Sequence, residues 1–333
     1  MTIGENTRIF IAGCGGMLGE AVYGTLGRTS EVAATDIVVN EPWLSYADVR
    51  DFHAVSKAIQ SFKPDIIINL AALTDMEYCE TQPDNAWLTN ALGAENLALI
   101  AAQLDAVYVY ICTAGIFDGR QESYNDFDQP NPLSVYARSK YHGEVFTREH
   151  VPRHYVIRAG WMMGGGPAKD KKFINKIYKQ LLTGQRELKV VTDKAGTPTY
   201  TWDFARGIIR LLESDLYGVY NQVCEGSATR YDVAVEFVRL LGLKDEVRIT
   251  EVPSDFFQAE YFAPRPASEK LVNTKLSARG LNVMRDWREC LREYSSVFLA
   301  HLRKARQEGL QDASLHPAPA TRCDRERGEP QDR

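Results

Sequence analysis

Residues 8–19, RIFIAGCGGMLG, decide the fold of this chain. The apolar run Arg8–Ala12 reads as a buried strand, three glycines spaced at G-x-x-G-x-x-G follow it, and Glu20–Leu26 reads as a helix. Glycines in such a turn permit a tight reversal and let a pyrophosphate approach the backbone at a helix N-terminus. The stretch therefore predicts a dinucleotide-binding strand–turn–helix unit. The expected cofactor contacts are Gly13, Gly16, Met17, Leu18 and Gly19.

Strand-like and helix-like segments alternate through the rest of the first half. Strands are predicted at Glu31–Thr35, Ile66–Ala72 and Val107–Thr113, with helices at Asp51–Phe62 and Asp84–Gln103 between them. This alternation predicts a parallel sheet with helices on both faces. Ligands bind such sheets at the carboxyl ends of the strands. The residues expected at or near that edge are Gly13, Asp36, Ala71, Thr113 and Tyr136.

A tyrosine and a lysine lie four residues apart in Asn131–Glu144, NPLSVYARSKYHGE. We predict that this stretch is helical, with Pro132 in its first turn, so that Tyr136 and Lys140 share one face. A free phenol has a pKa of about 10, and a nearby ammonium lowers it toward a range useful for proton transfer. Any surface helix can carry such a pair. The pair therefore indicates a functional site only because strand ends are predicted beside it.

Asp36 ends the second predicted strand, seventeen residues after Gly19. A carboxylate at this tip can accept hydrogen bonds from a ribose hydroxyl pair, and it repels a 2′-phosphate. The position therefore favours NAD(H). The alternative is an aspartate that caps the turn.

Composition narrows the remaining function classes. The net charge is −5 and there is no basic stripe, so no nucleic-acid partner is expected. Apolar runs fall far short of the about 20 residues of a membrane span, and the start of the chain lacks a secretion signal, so a cytoplasmic protein is predicted. Six cysteines and six histidines are scattered without metal-ligand spacing, and we predict no metal site.

The second half is expected to add a smaller lobe. We predict a dinucleotide-binding domain over 1–160, to which 196–223 return, and a substrate-binding lobe over 161–195 and 224–306. The glycines and lysines of 164–172 are expected to form a mobile loop over the site, with a solvated lysine face as the alternative. The polar composition of 309–333 predicts a disordered tail.

Beyond the glycine turn, further motifs follow in a fixed order along the chain. They are PDIIINLAALTDMEYCE at Pro64–Glu80, TNALGAENLA at Thr89–Ala98, ICTAGIFDG at Ile111–Gly119, the Asn131–Glu144 stretch, IRAGWMMGGG at Ile157–Gly166, GTPTY at Gly196–Tyr200 and PRPASEKLVNTKL at Pro264–Leu276. This ordered set resembles the extended short-chain dehydrogenase/reductase superfamily and, within it, the dTDP-4-dehydrorhamnose reductases. The resemblance implies a Rossmann-type doubly wound parallel sheet with a smaller α/β substrate-binding lobe.

The resemblance also implies a reaction, the NAD(P)H-dependent reduction of a 4-keto nucleotide-diphospho sugar. Tyr136 would donate a proton to the carbonyl oxygen while hydride arrives from the nicotinamide. Lys140 would lower the pKa of the tyrosine and hold the nicotinamide ribose, and Thr113 would hydrogen-bond the carbonyl. The cofactor is NAD(H) or NADP(H), with NAD(H) favoured through Asp36.

Further positions take their roles from the same resemblance. Additional cofactor contacts are expected at Asp48, Val49, Ala71, Ala72 and Asn90, with Asn90 ordering the cleft behind the cofactor. The nucleotide-sugar pocket is expected at Trp161, Thr199, Tyr200 and Arg265. A homodimer is a possible assembly.

One strand departs from the family pattern. The reductases read Ser-Thr-Asp and then an aromatic residue, whereas this chain reads Cys112-Thr113-Ala114-Gly115. The missing acid speaks against a sugar 4,6-dehydratase, whose elimination uses an acidic pair after the threonine. The altered pocket leaves the substrate open. Two alternatives remain, a nucleotide-sugar 4-epimerase that retains NAD and a non-catalytic NAD(P)-binding subunit similar to the beta subunit of methionine adenosyltransferase.

Overall fold

The computed structural model describes residues 3–307, so the tail predicted at 309–333 lies outside the described residues. The strands are β1 (Arg8–Ala12), β2 (Glu31–Asp36), β3 (Leu44–Tyr46), β4 (Ile66–Asn69), β5 (Val107–Thr113), β6 (His154–Ala159), β7 (Trp161–Met163), β8 (Glu187–Val191), β9 (Ala195–Gly196), β10 (Pro198–Tyr200), β11 (Gly218–Asn221), β12 (Ala228–Thr229), β13 (Arg248–Val252) and β14 (Ser268–Glu269).

The helices surround these strands. They are α1 (Met17–Leu26), α2 (Phe52–Phe62), α3 (Met76–Thr81), α4 (Pro83–Ala86), α5 (Gly93–Leu104), α6 (Val135–His150), α7 (Gly166–Lys169), α8 (Phe173–Leu182), α9 (Thr201–Ser214), α10 (Arg230–Leu240), α11 (Thr274–Ala278) and α12 (Trp287–Gln307). A π-helical stretch, Trp87–Leu92, joins α4 to α5, so the long helix predicted at Asp84–Gln103 changes its winding within its length.

Seven strands form one central parallel sheet in the order β11-β6-β5-β4-β1-β2-β3. Strands β2 and β3 extend the sheet from one side of β1, and β4, β5, β6 and β11 extend it from the other. The strand order therefore reverses between β1 and β4, which is where open α/β sheets bind ligands. The predicted Rossmann-type doubly wound sheet is confirmed.

Both faces of the central sheet are covered. Helices α1 and α9 pack on one face, and α2 and α5 pack on the other. Strand β4 shows the consequence, because Ile66, Ile67 and Ile68 are all fully buried although they point alternately to the two faces. A continuous apolar run is what a parallel strand needs when no face meets water.

A second core lies in the smaller lobe. Helices α8, α10 and α12 pack around the fully buried rings of Phe237 and Phe298, with Trp287 in the same cluster. Strands β8 and β13 pair in parallel beside them. The lobe thus has the predicted α/β character.

Helix α6 begins at Val135, and the prediction that Pro132 lies in its first turn is wrong. Ser134 caps the helix, since its hydroxyl oxygen accepts a hydrogen bond of 3.1 Å from the Ala137 backbone N–H. A serine cap satisfies a backbone donor that a proline two residues earlier cannot satisfy. Pro132 instead belongs to the segment that leads into the cap.

The stretch expected to be a mobile loop contains helix α7. Lys169 ends this helix, and its ammonium lies 2.7 Å from a carboxylate oxygen of Glu41 in an ion pair with the first domain. This lysine is therefore tied to another segment, in contrast to the expected solvated face.

A buried ion pair fixes α6 to the central sheet. Arg158 of β6 donates from Nη2 and Nε to the two carboxylate oxygens of Glu144 at 2.5 and 3.1 Å, and both side chains are almost completely buried. Since α6 also carries Tyr136 and Lys140, the pair sets the position of that helix against the strand ends.

Replacing Glu144 by glutamine should lower the free energy of unfolding by about 3 kcal/mol, because Arg158 then stays buried without a counter-charge. Urea denaturation measures the change. Glu213→Gln, which breaks an exposed ion pair with Arg210, is the matched control and should cost less than about 1 kcal/mol. Equal losses in the two variants would contradict the structural role given to the buried pair.

Candidate active site

A cleft of about 1240 Å³ runs along the carboxyl edge of the central sheet. Segments after β1, β2, β4, β5 and β6 line one side, and residues of the smaller lobe line the other. Pockets for single drug-sized ligands measure about 300–1,000 Å³. The cleft can therefore hold a dinucleotide and a second ligand together.

The glycine turn brings two backbone segments into contact. Gly13 has a φ of +74°, and a Cβ added there would lie 2.3 Å from the backbone nitrogen of Ala71. A Cβ on Gly19 would lie 2.0 Å from the carbonyl oxygen of Cys14. Gly16 precedes α1 and faces open space. The turn thus leaves a cradle at the helix N-terminus that suits a pyrophosphate. The first α-helix starts at Met17, three residues before the predicted start at Glu20.

Asp36 lines the cleft and also holds the turn. Its two carboxylate oxygens accept hydrogen bonds of 2.9 Å from the backbone N–H groups of Gly15 and Val38. Each oxygen keeps a second lone pair, so the carboxylate can cap the turn and still accept a further hydrogen bond.

Asp48 and Val49 lie in the cleft wall beside this region. Arg50 donates to both carboxylate oxygens of Asp48, and these hydrogen bonds hold the pKa of Asp48 below its usual range. Val49 is buried, and its carbonyl oxygen accepts a hydrogen bond of 2.9 Å from Asn96. The segment is therefore rigidly placed.

Asn90 lies behind the cleft. Its side-chain amide pairs with the backbone N–H and carbonyl of Leu73 at 2.8 and 3.0 Å, and it also donates to the Ser139 hydroxyl at 3.1 Å. The residue is buried and is not part of the cleft wall, whereas Ala71 and Ala72 are. Asn90 thus connects the loop after β4 to helix α6 from behind the cleft wall, and its direct contact with a cofactor stays a prediction.

The structure brings Thr113, Tyr136 and Lys140 together in the cleft wall. Thr113 ends β5, and its hydroxyl lies close enough to the Tyr136 phenol to act on the pKa of that phenol. The Lys140 ammonium lies 4.3 Å from the centre of the Tyr110 ring, and the Tyr110 hydroxyl donates to the Lys140 carbonyl at 2.9 Å. The three side chains therefore come from a strand end and one helix face.

Burial dominates the protonation of this pair. It raises the pKa of the Tyr136 phenol, and the hydrogen bond with Thr113 offsets only part of that rise. Burial also lowers the pKa of Lys140 to about 8. The predicted lowering of the tyrosine pKa is thus wrong for the protein alone, because desolvation of the phenolate is the larger effect.

The four predicted substrate contacts divide into two groups. Trp161 and Arg265 line the cleft, and Arg265 forms an ion pair with Glu77. Thr199 and Tyr200 are buried and are not part of the cleft wall, so their contact with a substrate stays a prediction. Thr199 bonds to backbone groups of its own neighbourhood, and the Tyr200 hydroxyl donates to Glu293 of α12 at 3.1 Å. Their side chains are used in packing the lobe.

Several cleft residues were missed by the sequence analysis. Arg230, at the start of α10, and Glu269, in β14, both line the cleft beside Trp161. Lys172 also lines it, and its ammonium donates to the Thr74 hydroxyl at 2.9 Å. The sequence signals are the position of Glu269 within the motif at Pro264–Leu276 and that of Lys172 within the stretch 164–172, which is expected to cover the site.

Two further findings concern metal sites and membrane-spanning helices in the described residues. Within 3–307, no group of three or more histidine, cysteine, aspartate or glutamate side chains is arranged to hold a metal ion. In the same part of the chain, no helix has the length and apolar character needed to cross a membrane.

Comparison with curated proteins finds relatives along most of the chain. The spore coat polysaccharide biosynthesis protein SpsK of Bacillus subtilis is 32% identical, over 86% of this chain and 96% of its own. The dTDP-4-dehydrorhamnose reductase of Mycolicibacterium smegmatis is 31% identical, over 86% and 84%. The methionine adenosyltransferase 2 subunit beta of Xenopus tropicalis is 28% identical, over 89% of each.

Solved structures match this chain with similar sequence identity and coverage. A dTDP-4-dehydrorhamnose reductase from Clostridium acetobutylicum has a TM-score of 0.79 and 35% identity, covering 87% of this chain and 99% of its own. The corresponding reductase of Bacillus anthracis, solved in complex with NADP, has a TM-score of 0.79 and 28% identity, covering 87% and 98%.

The model of the RmlD substrate binding domain matches residues 7–299, nearly the whole described chain. Together with the reductase relatives, this match confirms the resemblance on which the site residues were assigned. The chain belongs to the RmlD substrate-binding domain family.

Proposed function

We propose that this protein is an NAD(P)H-dependent reductase of a 4-keto nucleotide-diphospho sugar. The observation that carries the proposal is the meeting of Thr113, Tyr136 and Lys140 in one cleft that also contains the glycine cradle. Relatives named dTDP-4-dehydrorhamnose reductase support the substrate class.

The cradle supports a dinucleotide at the switch point. Cβ atoms on Gly13 and Gly19 would enter neighbouring backbone, so the turn approaches more closely than other residues allow. A reduced nicotinamide, when bound, supplies hydride to the carbonyl carbon. The residues of this chain would bind the substrate, orient its carbonyl and supply the proton.

Tyr136 is the proton donor in this proposal. A phenol is protonated at neutral pH, and burial raises the pKa of Tyr136 further, so this residue has a proton to give. The Thr113 hydroxyl lies beside the phenol in the protein alone and, with substrate bound, would turn its single proton to the carbonyl oxygen. As the carbonyl oxygen gains negative charge, the phenolic proton moves to it.

Lys140 stabilises the phenolate that remains after proton transfer. Its pKa of about 8 means that it is largely a cation at neutral pH. The cation is nearly inaccessible to water and lies over the Tyr110 ring, so its field on the site is weakly screened.

The smaller lobe provides the binding surface proposed for the nucleotide diphosphate. Several cations of that lobe line the cleft, and ammonium and guanidinium groups bind phosphate oxygens well. They are Lys171, Lys172, Lys176, Lys189, Lys194, Arg230 and Arg265. We assign the substrate-binding role to this lobe.

The two alternatives have weaker support. An epimerase would use the same three catalytic residues, but the likeness to the UDP-glucose 4-epimerase of Thermus thermophilus, at 23% identity, indicates the fold alone. A regulatory role would follow the methionine adenosyltransferase subunit, which at 28% identity is less similar than the Mycolicibacterium smegmatis reductase at 31%. Such a role does not require Thr113, Tyr136 and Lys140 to meet in a cleft.

Tyr136→Phe should abolish turnover by removing the proton donor, with a fall in kcat of about 10²-fold or more. The assay follows loss of reduced-nicotinamide absorbance with dTDP-4-dehydrorhamnose, and calorimetry measures cofactor affinity, which should stay unchanged. Tyr141→Phe, on the same helix but outside the cleft, is the matched control and should keep full activity. Activity that survives in Tyr136→Phe would exclude this residue as the donor.

The value of kcat/KM should fall as pH rises through about 8, where Lys140 loses its proton in the free protein. Tyr136 does not cause this fall, because its own pKa is raised further above neutrality. The profile of Lys140→Arg, whose guanidinium stays charged, should lack this alkaline limb. If kcat/KM of Lys140→Arg still falls at alkaline pH, a group other than Lys140 is responsible for the fall.

NADH should serve at least as well as NADPH, because the Asp36 carboxylate repels a 2′-phosphate. Asp36→Ala should shift the ratio of the two kcat/KM values toward NADPH by about 10-fold. Asp36→Asn preserves the side-chain size near Gly15 and should shift the ratio in the same direction. An unchanged ratio in both variants would show that the charge at position 36 does not select the cofactor.

A further inference from the structure

The Glu269 side chain extends from β14 into the cleft, and one of its carboxylate oxygens already accepts a hydrogen bond. Its Oε2 accepts a hydrogen bond of 2.6 Å from the indole Nε1 of Trp161. No residue within 3–307 donates a hydrogen bond to Oε1. One oxygen of the carboxylate thus anchors the side chain, and the other is available to a ligand.

The free oxygen lies beside the catalytic strand end, in space that Gly115 leaves open. A Cβ built on Gly115 would lie 3.3 Å from Glu269 Oε1 and 3.5 Å from Thr113 Oγ1. The two oxygens therefore flank the same point and lie within the span of one sugar ring. An aromatic side chain at position 115, as in the family pattern, would compete with Glu269 for this space.

The anchor of Glu269 is itself held on both sides. Gly196 packs against the Trp161 indole, since a Cβ there would lie 2.3 Å from the ring, and the Arg230 guanidinium lies 3.7 Å from the ring centre on top of it. A carboxylate bonded to a fixed indole keeps its own position, which is what recognition of a substrate group requires.

We propose that Glu269 determines substrate specificity by accepting a hydrogen bond from a hydroxyl group on the ring carbon next to the substrate carbonyl. The inference rests on the proposed function, because Thr113 and Tyr136 fix where that carbonyl lies. With the carbonyl oxygen at Thr113, a hydroxyl on a neighbouring ring carbon can reach Glu269 Oε1, because the two side-chain oxygens border the same space beside Gly115.

The groups around Glu269 favour a substrate with a neutral hydroxyl at this point over one with a protonated amine. Arg230 stacks on Trp161 and Phe173 and forms no hydrogen bond or ion pair with any residue that the structure describes. The Glu269 carboxylate already interacts electrostatically with this guanidinium, and a second cation beside it would be repelled by Arg230. An apolar substituent would leave the free carboxylate oxygen desolvated without a donor, which is costly.

The test compares the binding of dTDP-rhamnose and of its 3-deoxy analogue, which lacks the hydroxyl next to the reduced carbon. Calorimetry is performed on the full chain with saturating oxidised cofactor. The native protein should bind the hydroxylated ligand about 10- to 100-fold more tightly, as expected for a hydrogen bond to a charged acceptor. Glu269→Ala should bring the two dissociation constants to within about 3-fold of each other, mainly through weaker binding of dTDP-rhamnose.

Two further variants control for structural damage. Glu269→Gln keeps an oxygen for Trp161 but turns its amide N–H₂ toward the cleft, so discrimination should also fall. Glu122→Gln removes an exposed carboxylate that pairs with Lys270, next to Glu269 in sequence, and should keep the native discrimination.

An equal loss of affinity for both ligands in Glu269→Ala would overturn the proposal, since the carboxylate would then serve only to hold Trp161. Native discrimination in Glu269→Gln, or a native protein that fails to distinguish or bind the two ligands, would also overturn it. Discrimination by Glu269 without any oxidation of NADH or NADPH would count against the reductase and leave the role of Glu269 standing.

Discussion

The contact between the Gly13 turn and the Ala71 backbone is the constraint on which the site depends. It lies between β1 and β4, where the strand order reverses and the two connections leave the sheet in opposite directions. A side chain on Gly13 would push these segments apart. Because the contact is made by backbone, the cleft begins at a fixed place, and every residue at the strand ends is positioned relative to it.

Burial then determines the chemistry that the cleft can support. It raises the pKa of Tyr136 and lowers that of Lys140, so in both residues the neutral form is favoured. A reduction needs the phenol neutral at the start and a cation nearby at the end. A phenol meets the first condition even when it is exposed, and burial of Tyr136 reinforces it. The lysine meets the second because its pKa, although lowered, remains above neutrality.

The sequence predicted the features that local patterns encode. The glycine turn, strands β1, β2, β4 and β5 of the central sheet, and the Tyr136–Lys140 pair all follow from spacing and strand composition. The misplacement of Pro132 in α6 has a local cause, the Ser134 cap, whereas the other differences come from packing between distant segments. Tyr200 looked like a pocket residue, but its hydroxyl bonds to Glu293 of α12. The direction of the Tyr136 pKa shift likewise depends on burial that no four-residue spacing can express.

Packing between distant segments also explains why Ala114 and Gly115, taken from the sequence alone, indicate only the loss of an acid and an aromatic side chain. Within its own motif, Gly115 only removes a side chain. In the structure the vacated space borders Glu269, which arrives from a strand of the other lobe and is held there by Trp161. The strand end therefore has a carboxylate beside it although its own sequence carries none. A missing motif residue leaves a volume to be filled, and the chemistry that fills it is decided by whichever distant segment packs there.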